Sequence, residues 1–164
     1  MKTLYLIGGP MGVGKTTVSQ ALKKLLPRSV FLDGDWCWDA HPFQVTDETK
    51  AMVMDNIRHL LANFLRCTAY ENVIFCWVMH EQSIIDDVLS TLDVKDARVR
   101  CISLTCDATA LTARLQKDID AGLREEGVIP RSLARLALYD ALKTEKIDTT
   151  HLSPDQLAAI LAEK

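Results

Sequence analysis

The sequence predicts an α/β protein built on a mainly parallel sheet. Five short apolar runs, typical of buried strands, alternate with longer segments in which apolar residues recur at helical spacing. The 164 residues suffice for one domain with a substantial core. Apolar residues make up 48% of the chain and charged residues 25%, a balance typical of a globular protein. We therefore expect a single domain over residues 1–164.

Each predicted strand is followed by a predicted helix. The strands span residues 4–7, 30–32, 73–78, 99–104 and 146–148. The helices span residues 15–26, 45–67, 83–92, 108–119 and 131–142, and a last helix follows Ser153. Ser153 and Gln156 have the spacing of a capping box, and Pro154 suits the first helical position. Residues 120–130 are polar and contain two glycines, which predicts a loop.

Charge and cysteine content restrict the classes of partner and the compartment. A net charge of -3 provides no general attraction to nucleic acid or to an anionic membrane, and it argues against a nucleic-acid partner. No apolar stretch has the length of a membrane span. The five cysteines are odd in number and form no CxxC pair, which argues against a disulfide framework or a zinc site. Reduced thiols in a cytoplasmic protein are the expectation.

A phosphate-binding loop is predicted between the first strand and the first helix. The segment from Gly9 to Thr16 matches the pattern G-x-x-x-x-G-K-[ST] in the strand–loop–helix context that its chemistry requires. Glycines let backbone N–H groups converge on phosphate oxygens, and the helix N-terminus adds positive potential. We expect Lys15 to reach the outer phosphates of ATP and Thr16 to bind Mg²⁺. The residues predicted to bind ATP here are Gly9, Met11, Gly12, Val13, Gly14, Lys15, Thr16 and Thr17.

Two carboxylates follow the second predicted strand. Asp33 and Asp35 flank Gly34 just past the strand end. In an open α/β sheet, ligands lie outside the carboxyl ends of the strands, so both aspartates should face the crevice that holds the phosphate loop. A carboxylate near Mg²⁺ and facing an acceptor could orient that acceptor for phosphoryl transfer. The alternative is a solvated Asp-Gly-Asp turn.

This layout resembles the small-metabolite P-loop kinases, which include shikimate, gluconate and adenylylsulfate kinases. The segment from Leu32 to Asp35 is similar to the second-strand motif of the gluconate and adenylylsulfate kinases. The resemblance implies the P-loop NTPase fold, a three-layer α/β/α sandwich whose five-stranded parallel sheet has the order 2-3-1-4-5. It also implies that Asp33 supports Mg²⁺, mostly through water, and that Asp35 accepts a hydrogen bond from the substrate hydroxyl and acts as its base.

The resemblance further implies a small lid around residues 120–132 that carries arginines. In related kinases such arginines clamp the transferring phosphate and offset charge in the transition state. Arg131 and Arg135 are one helical turn apart and are the predicted catalytic arginines, together with Lys15 and Asp35. Arg124 is a weaker candidate, because it could pair with Glu125 or Glu126 instead. A His-Phe element found in the gluconate kinase lid is missing from this sequence.

Two further residues are expected on the base side of the nucleotide. Arg114 lies where similar kinases carry an arginine near the adenine. Thr149 follows the fifth predicted strand, where several P-loop kinases place backbone beside the adenine. Guanine-specific GTPases usually carry an N-K-x-D element, and this sequence has none, although a preference for ATP over GTP does not follow.

The sequence says less about which residues would bind the acceptor. Trp36, Trp38, Trp77 and His80 could line an acceptor pocket or belong to the core, and Arg58 could meet an anionic group. A glycine run typical of shikimate kinase after the third strand is missing, which disfavours shikimate.

Two function classes stay open on the sequence alone. The first is an ATP- and Mg²⁺-dependent kinase of a small molecule, such as a hydroxylated metabolite, a nucleoside or a nucleotide. The second is a nucleotide-binding regulatory or stress-response ATPase with no small-molecule acceptor. A monomer and a homodimer are both compatible with the sequence.

Overall fold

A computed structural model describes residues 1–163 and contains one five-stranded sheet. The strands are β1 (Lys2–Gly8), β2 (Ser29–Asp33), β3 (Asn72–Cys76), β4 (Ala97–Thr105) and β5 (Glu145–Asp148). The helices are α1 (Lys15–Leu25), α2 (Asp47–Arg66), α3 (Gln82–Leu89), α4 (Ala108–Asp120), α5 (Val128–Leu136) and α6 (Pro154–Glu163). All neighbouring strands are parallel, and their order is β2-β3-β1-β4-β5. The predicted class and strand order are confirmed.

Helices cover both faces of the sheet because its strands are apolar on both sides. Successive side chains of a strand point to opposite faces. In the central strand β1, Tyr5 and Ile7 pack into one core, and Leu4 and Leu6 pack into the other. Helices α1, α4, α5 and α6 contribute to the first core, whereas α2 and α3 contribute to the second. The result is the predicted three-layer α/β/α arrangement.

The strand register brings the predicted site residues to one edge of the sheet. Cys76, the last residue of β3, lies opposite Ile7 of β1 on one side and Asp33 of β2 on the other. The segments that follow β1 and β2 therefore leave the sheet side by side. A 3₁₀ turn over Gly34–Cys37 continues β2 beyond this edge.

The boundaries of α5 differ from the prediction. The sequence places a helix over residues 131–142, but α5 begins at Val128 and ends at Leu136, where a 3₁₀ turn over Ala137–Ala141 follows. Pro130 is accommodated in the first turn, because the N–H that proline lacks has no partner within the helix there. The predicted loop is correspondingly shorter and spans residues 121–127.

The predicted N-terminus of the last helix is confirmed, whereas β3 and α3 end at Cys76 and Leu89, earlier than the predicted residues 78 and 92. The capping box of α6 is present, with the Ser153 hydroxyl accepting from the N–H of Gln156 and the Gln156 amide oxygen accepting from the N–H of Ser153. All five cysteines are free thiols. Within residues 1–163, every helix is too short or too polar to span a membrane.

Candidate active site

The loop between β1 and α1 adopts a conformation that requires glycine. Gly12 and Gly14 have φ angles of +87° and +102°, which side chains other than glycine rarely adopt. A Cβ on Gly12 would also lie 2.5 Å from Cδ2 of Leu115 on α4, so the loop packs directly on that helix. Val13 anchors the loop from within, because its side chain is buried in the core.

Lys15 lies at the start of α1 with its amine directed back into the loop. Its Nζ donates a hydrogen bond to the carbonyl oxygen of Pro10 at 3.0 Å. Burial lowers the pKa of Lys15 to about 8, an effect that the thiol of Cys76 and the carboxylate of Asp35 oppose. The amine is therefore poorly solvated and only partly neutralised by its neighbours, a state that an anionic ligand would relieve.

Thr16 and Asp33 are in direct contact. The Thr16 hydroxyl donates to Oδ2 of Asp33 at 2.7 Å, and Oδ1 of Asp33 accepts from the backbone N–H of Asp35 at 3.0 Å. Asp33 is buried, with only 5% of its surface exposed. The phosphate loop and the end of β2 thus share one cluster of oxygen atoms, as the two motifs predict.

Asp35 is an exposed residue whose carboxyl is partly desolvated, and its environment raises the pKa. Burial raises the pKa of Asp35, and the nearby carboxylate of Asp33 raises it further. The amine of Lys15, a side-chain hydrogen bond from Trp77 and the guanidinium of Arg124 act in the opposite direction. The carboxyl of Asp35 therefore interacts with one carboxylate and two cations near the phosphate loop.

Arg114 connects three segments beside the phosphate loop. One guanidinium nitrogen, Nη1, donates to the Thr149 hydroxyl at 2.8 Å and to the carbonyl oxygen of Val13 at 3.3 Å. The other, Nη2, donates to the carbonyl oxygen of Thr149 at 2.8 Å. The two residues predicted on the base side thus contact each other, and they hold the segment after β5 against the phosphate loop.

A second connection to the loop comes from α5. The hydroxyl of Ser132, which is buried, donates to the carbonyl oxygen of Met11 at 2.7 Å. Thr17 is exposed in the first turn of α1 and lines an open cleft between α1 and α6 with Gln20 and Pro154. Ser132 thus ties the phosphate loop to α5, while Thr17 faces the cleft beside α6.

The arginines of the predicted lid have three different environments. Arg124 forms an ion pair with Asp118 at 3.0 Å, and its charge acts on both Lys15 and Asp35. Arg131 is exposed, and its Nε donates to the carbonyl oxygen of Gly127 at 3.2 Å. Arg135 is half-buried and, after burial itself, is the next cause that lowers the pKa of His80.

Two sequence interpretations of arginines need correction. Arg124 pairs with Asp118 and not with Glu125 or Glu126, because the chain reverses at Gly122, where φ is +71°. Arg58 does not face an acceptor: it forms an ion pair with Asp87 at 3.1 Å and also donates to the Asp87 carbonyl oxygen, which ties α2 to α3.

The aromatic residues predicted near the acceptor divide into two groups. Trp36 is 59% exposed and packs edge-on against Phe31, and Trp38 packs on Phe43 with ring centroids 4.5 Å apart. Trp77 is partly buried and contacts Asp35 through its side chain. Trp36 and Trp38 therefore line a cleft in the segment after Asp35, whereas Trp77 interacts with Asp35 itself.

His80 lies beyond the end of β3. Its Nδ1 is buried and has no hydrogen-bond partner among the described residues, and its Nε2 is 3.5 Å from a Glu81 carboxylate oxygen. Burial lowers the pKa of His80, and the charge of Arg135 lowers it further. None of these contacts of His80 involves Asp35.

A comparison with protein-family models shows the family to which the chain belongs. The model described as AAA domain matches residues 6–127, which is most of the chain and includes the phosphate loop, Asp33 and Asp35. The chain belongs to this AAA domain family. None of the curated proteins matches the sequence of this AAA domain protein.

Solved structures with the same fold include several kinases. A tunicamycin resistance protein from Deinococcus radiodurans is similar with a TM-score of 0.74 and 20% identity, over 99% of this chain and 95% of that chain. A gluconokinase from Sinorhizobium meliloti 1021 gives 0.67 and 18%, over 98% and 94%. Shikimate kinase from Acinetobacter baumannii, in complex with shikimate, gives 0.63 and 20%, over 99% and 92%. At these identities the likeness shows that the AAA domain protein has the fold of P-loop small-molecule kinases.

Some contacts of the site carry no sequence signal. The hydrogen bond from Ser132 to Met11 joins positions 121 residues apart, and neither residue type indicates a pair. The contact of Trp77 with Asp35 depends on the loop after β3, which no motif marks. The position of Trp77 near the end of the predicted third strand is the signal that places it near the cleft.

Proposed function

We propose that this AAA domain protein transfers the γ-phosphoryl group of ATP to a small molecule, with Mg²⁺ as cofactor. The observation that carries the proposal is the hydrogen-bonded chain from Thr16 through Asp33 to Asp35, beside the amine of Lys15. It joins the phosphate loop to the backbone N–H of Asp35, whose carboxyl has a raised pKa. That combination suits phosphoryl transfer, in which the protein mainly positions the reactants and stabilises charge.

The oxygen atoms of Thr16 and Asp33 fit Mg²⁺. Across residues 1–163, His, Cys, Asp and Glu form no group of three or more that could hold a metal ion alone. Mg²⁺ needs no such group, because it typically binds one or two protein oxygens together with substrate phosphates and water. Thr16 and Asp33 would hold it, and when bound it would offset charge on the phosphates.

The remaining groups account for the transfer step. Lys15 would place its ammonium against the outer phosphates. Asp35 would accept the proton of the acceptor hydroxyl while the hydroxyl oxygen forms a bond to the γ-phosphorus and the bond to the ADP oxygen breaks. The raised pKa of Asp35 makes it a stronger base than an ordinary aspartate.

We assign residues 120–132 to a small lid over this step, in a chain that is one domain over residues 1–164. Gly122 supplies a positive φ at its start, and Ser132 ties its end to the phosphate loop. Arg131 and Arg135 remain the arginines proposed to stabilise the transferred phosphoryl group. Arg124 joins them as a candidate, because its charge acts on both Lys15 and Asp35.

Arg114 and Thr149 would form the base side of the ATP site. The free thiols of the five cysteines support a reducing compartment, so we place the enzyme in the cytoplasm. The acceptor is sought among hydroxylated small molecules. Tunicamycin belongs in that set, since a tunicamycin resistance protein shares the fold.

The test is formation of ADP from Mg²⁺-ATP with a panel of acceptors: nucleosides, nucleoside monophosphates, sugar acids, aromatic alcohols and tunicamycin. Lys15→Ala is the blank for nucleotide binding. Asp35→Asn should keep ATP affinity and lose about 10²–10⁴-fold in acceptor-dependent turnover. Asp55→Asn, the same change at an exposed site on α2, should leave turnover unaffected.

Two outcomes would count against the proposal. Full acceptor-dependent turnover by Asp35→Asn would remove the role given to that carboxylate. ATP binding without stimulation by any acceptor would favour the second class, a nucleotide-binding regulatory or stress-response ATPase.

A further inference from the structure

The segment that follows β2 is acidic and contains no Lys or Arg. Residues 34–49, between the end of β2 and Lys50, include four carboxylates and one histidine, His41. The first basic residue after Arg28 is Lys50, which is exposed on α2. This segment begins with the 3₁₀ turn Gly34–Cys37, which carries Asp35 itself.

A cleft of about 430 Å³ opens within this segment. It is lined by Trp36, Cys37, Trp38, Asp39, Ala40, Pro42, Gln44, Thr49 and Met52. Asp39 is the only formally charged residue of this lining, and it is acidic. Trp36, the first residue of the lining, directly follows Asp35 in the chain.

Exposed apolar side chains are concentrated in this segment and the adjoining start of α2. Trp36, Phe43, Val45 and Met52 are 45–60% exposed, and they are four of the eight large apolar residues exposed in the described chain. Within one short segment, these residues present water with a surface that an apolar ligand would cover. The tryptophan and methionine belong to the cleft itself.

Among the described residues, no Lys or Arg lines the cleft itself. Lys50, the first basic residue along the chain, is exposed on α2 outside the lining, and Arg58 is held by Asp87 at the contact between α2 and α3. A carboxylate or phosphate in the cleft would lose water, face Asp39 and gain no Lys or Arg partner. An uncharged ring would instead cover Trp36, the exposed tryptophan of the lining.

From these observations we infer that the acceptor is an uncharged hydroxylated molecule whose apolar or aromatic part fills this cleft. The inference rests on the proposed function and specifies its substrate class. The hydroxyl lies towards Asp35, which takes its proton, and the oxygen bonds to the γ-phosphorus as ADP leaves with the bridging oxygen. Acids such as sugar acids and nucleoside monophosphates are excluded.

Direct binding tests the inference separately from catalysis. Calorimetry and tryptophan fluorescence are measured with two matched pairs: uridine and uridine 5′-monophosphate, and phenyl glucoside and phenyl glucuronide. Each pair differs by one anionic group. The neutral member should bind at least tenfold more tightly in both pairs. Equal binding, preference for the anion, or no binding by either neutral member would overturn the inference.

Variants of the cleft provide the second arm. Trp36→Ala should weaken the neutral probes about tenfold without changing ATP affinity, and Trp36→Phe should retain most of the binding. Asp39→Lys should move preference towards the anionic member of each pair, whereas Asp55→Lys, the same charge change on α2, should not. Unchanged selectivity in Asp39→Lys would contradict the assignment of the cleft.

The two proposals fail differently. If neutral probes bind with the expected selectivity but no ADP forms, the cleft stands and phosphoryl transfer is wrong. If acids bind and are phosphorylated, the kinase stands and the acceptor class is wrong.

Discussion

Gly34 and Trp77 are packed so closely that no side chain fits between them. A Cβ on Gly34 would lie 2.5 Å from Cγ and 2.6 Å from Cδ1 of the Trp77 indole. Trp77 in turn forms a side-chain hydrogen bond with Asp35. The glycine between the two aspartates is therefore required by packing against Trp77, the residue after β3, in addition to any flexibility it gives the turn.

Gly34→Ala is expected to impair the acceptor side while sparing the nucleotide. The indole is rigid and must move, which removes the hydrogen bond to Asp35 and costs about 1–3 kcal/mol of stability through overpacking. We expect turnover to fall and the Kd of ATP to change less than threefold, as measured by steady-state kinetics and calorimetry. An equal loss of both would place Gly34 in the nucleotide site instead.

Asp35 should set the acid limit of activity. Its protonated form cannot accept the proton of an acceptor, so kcat/KM should fall as pH decreases through the raised pKa of the free protein. That limit should lie above the ordinary aspartate value of about 4. Trp77→Phe removes a hydrogen bond that lowers this pKa, so its acid limit should move to higher pH. Identical pH profiles for the two proteins would separate Asp35 from the acid limit.

The same shift predicts the stability of Asp35→Asn. Because the folded state raises the pKa of Asp35, the ionised carboxylate disfavours folding, and stability decreases as pH rises through that pKa. A neutral amide avoids this effect. The variant should therefore keep or raise the Tm at pH 7 while losing turnover, which thermal unfolding can check.

Contiguous motifs explain why much of this site could be predicted from the sequence. The segment Gly9–Thr16 and the pair Asp33 and Asp35 each lie at the end of an apolar strand, and parallel strands end at the same edge of the sheet. The short distance between Thr16 and Asp33 follows from that geometry. Local pattern and sheet topology were sufficient here.

The rest depended on how the chain returns from distant segments. On the sequence alone Arg124 is a weaker candidate than Arg131. The chain reversal at Gly122 nevertheless brings Arg124 to Asp118, and its charge lowers the pKa of Lys15. The sequence predicts that α5 begins at residue 131, after Pro130. The helix begins at Val128 instead, because Pro130 is accommodated in its first turn. Neither outcome is encoded by spacing.

Gly12 should be intolerant of any side chain, and Gly122 provides the matched control. Both have positive φ angles, +87° and +71°, but a Cβ on Gly12 would collide with Leu115 while one on Gly122 would meet open space. Gly12→Ala should lower the free energy of unfolding by about 2–4 kcal/mol and weaken ATP binding. Gly122→Ala carries only the backbone strain, about 1 kcal/mol. Urea unfolding and ATP titration would distinguish the two, and equal losses would show that packing on α4 is unimportant.

Lys15 should make nucleotide binding depend on pH. Burial lowers its pKa to about 8 in the free protein, and the phosphates of ATP favour the ammonium and so raise that pKa on binding. Binding at pH 8 should therefore take up about 0.5 proton, and affinity should decrease as pH rises above 8. Calorimetry in two buffers with different ionisation enthalpies measures this uptake. Lys15→Arg keeps the charge at every pH tested, so it should bind ATP without that uptake. If the uptake persists in Lys15→Arg, another group is responsible and the lowered pKa of Lys15 has no part in nucleotide binding.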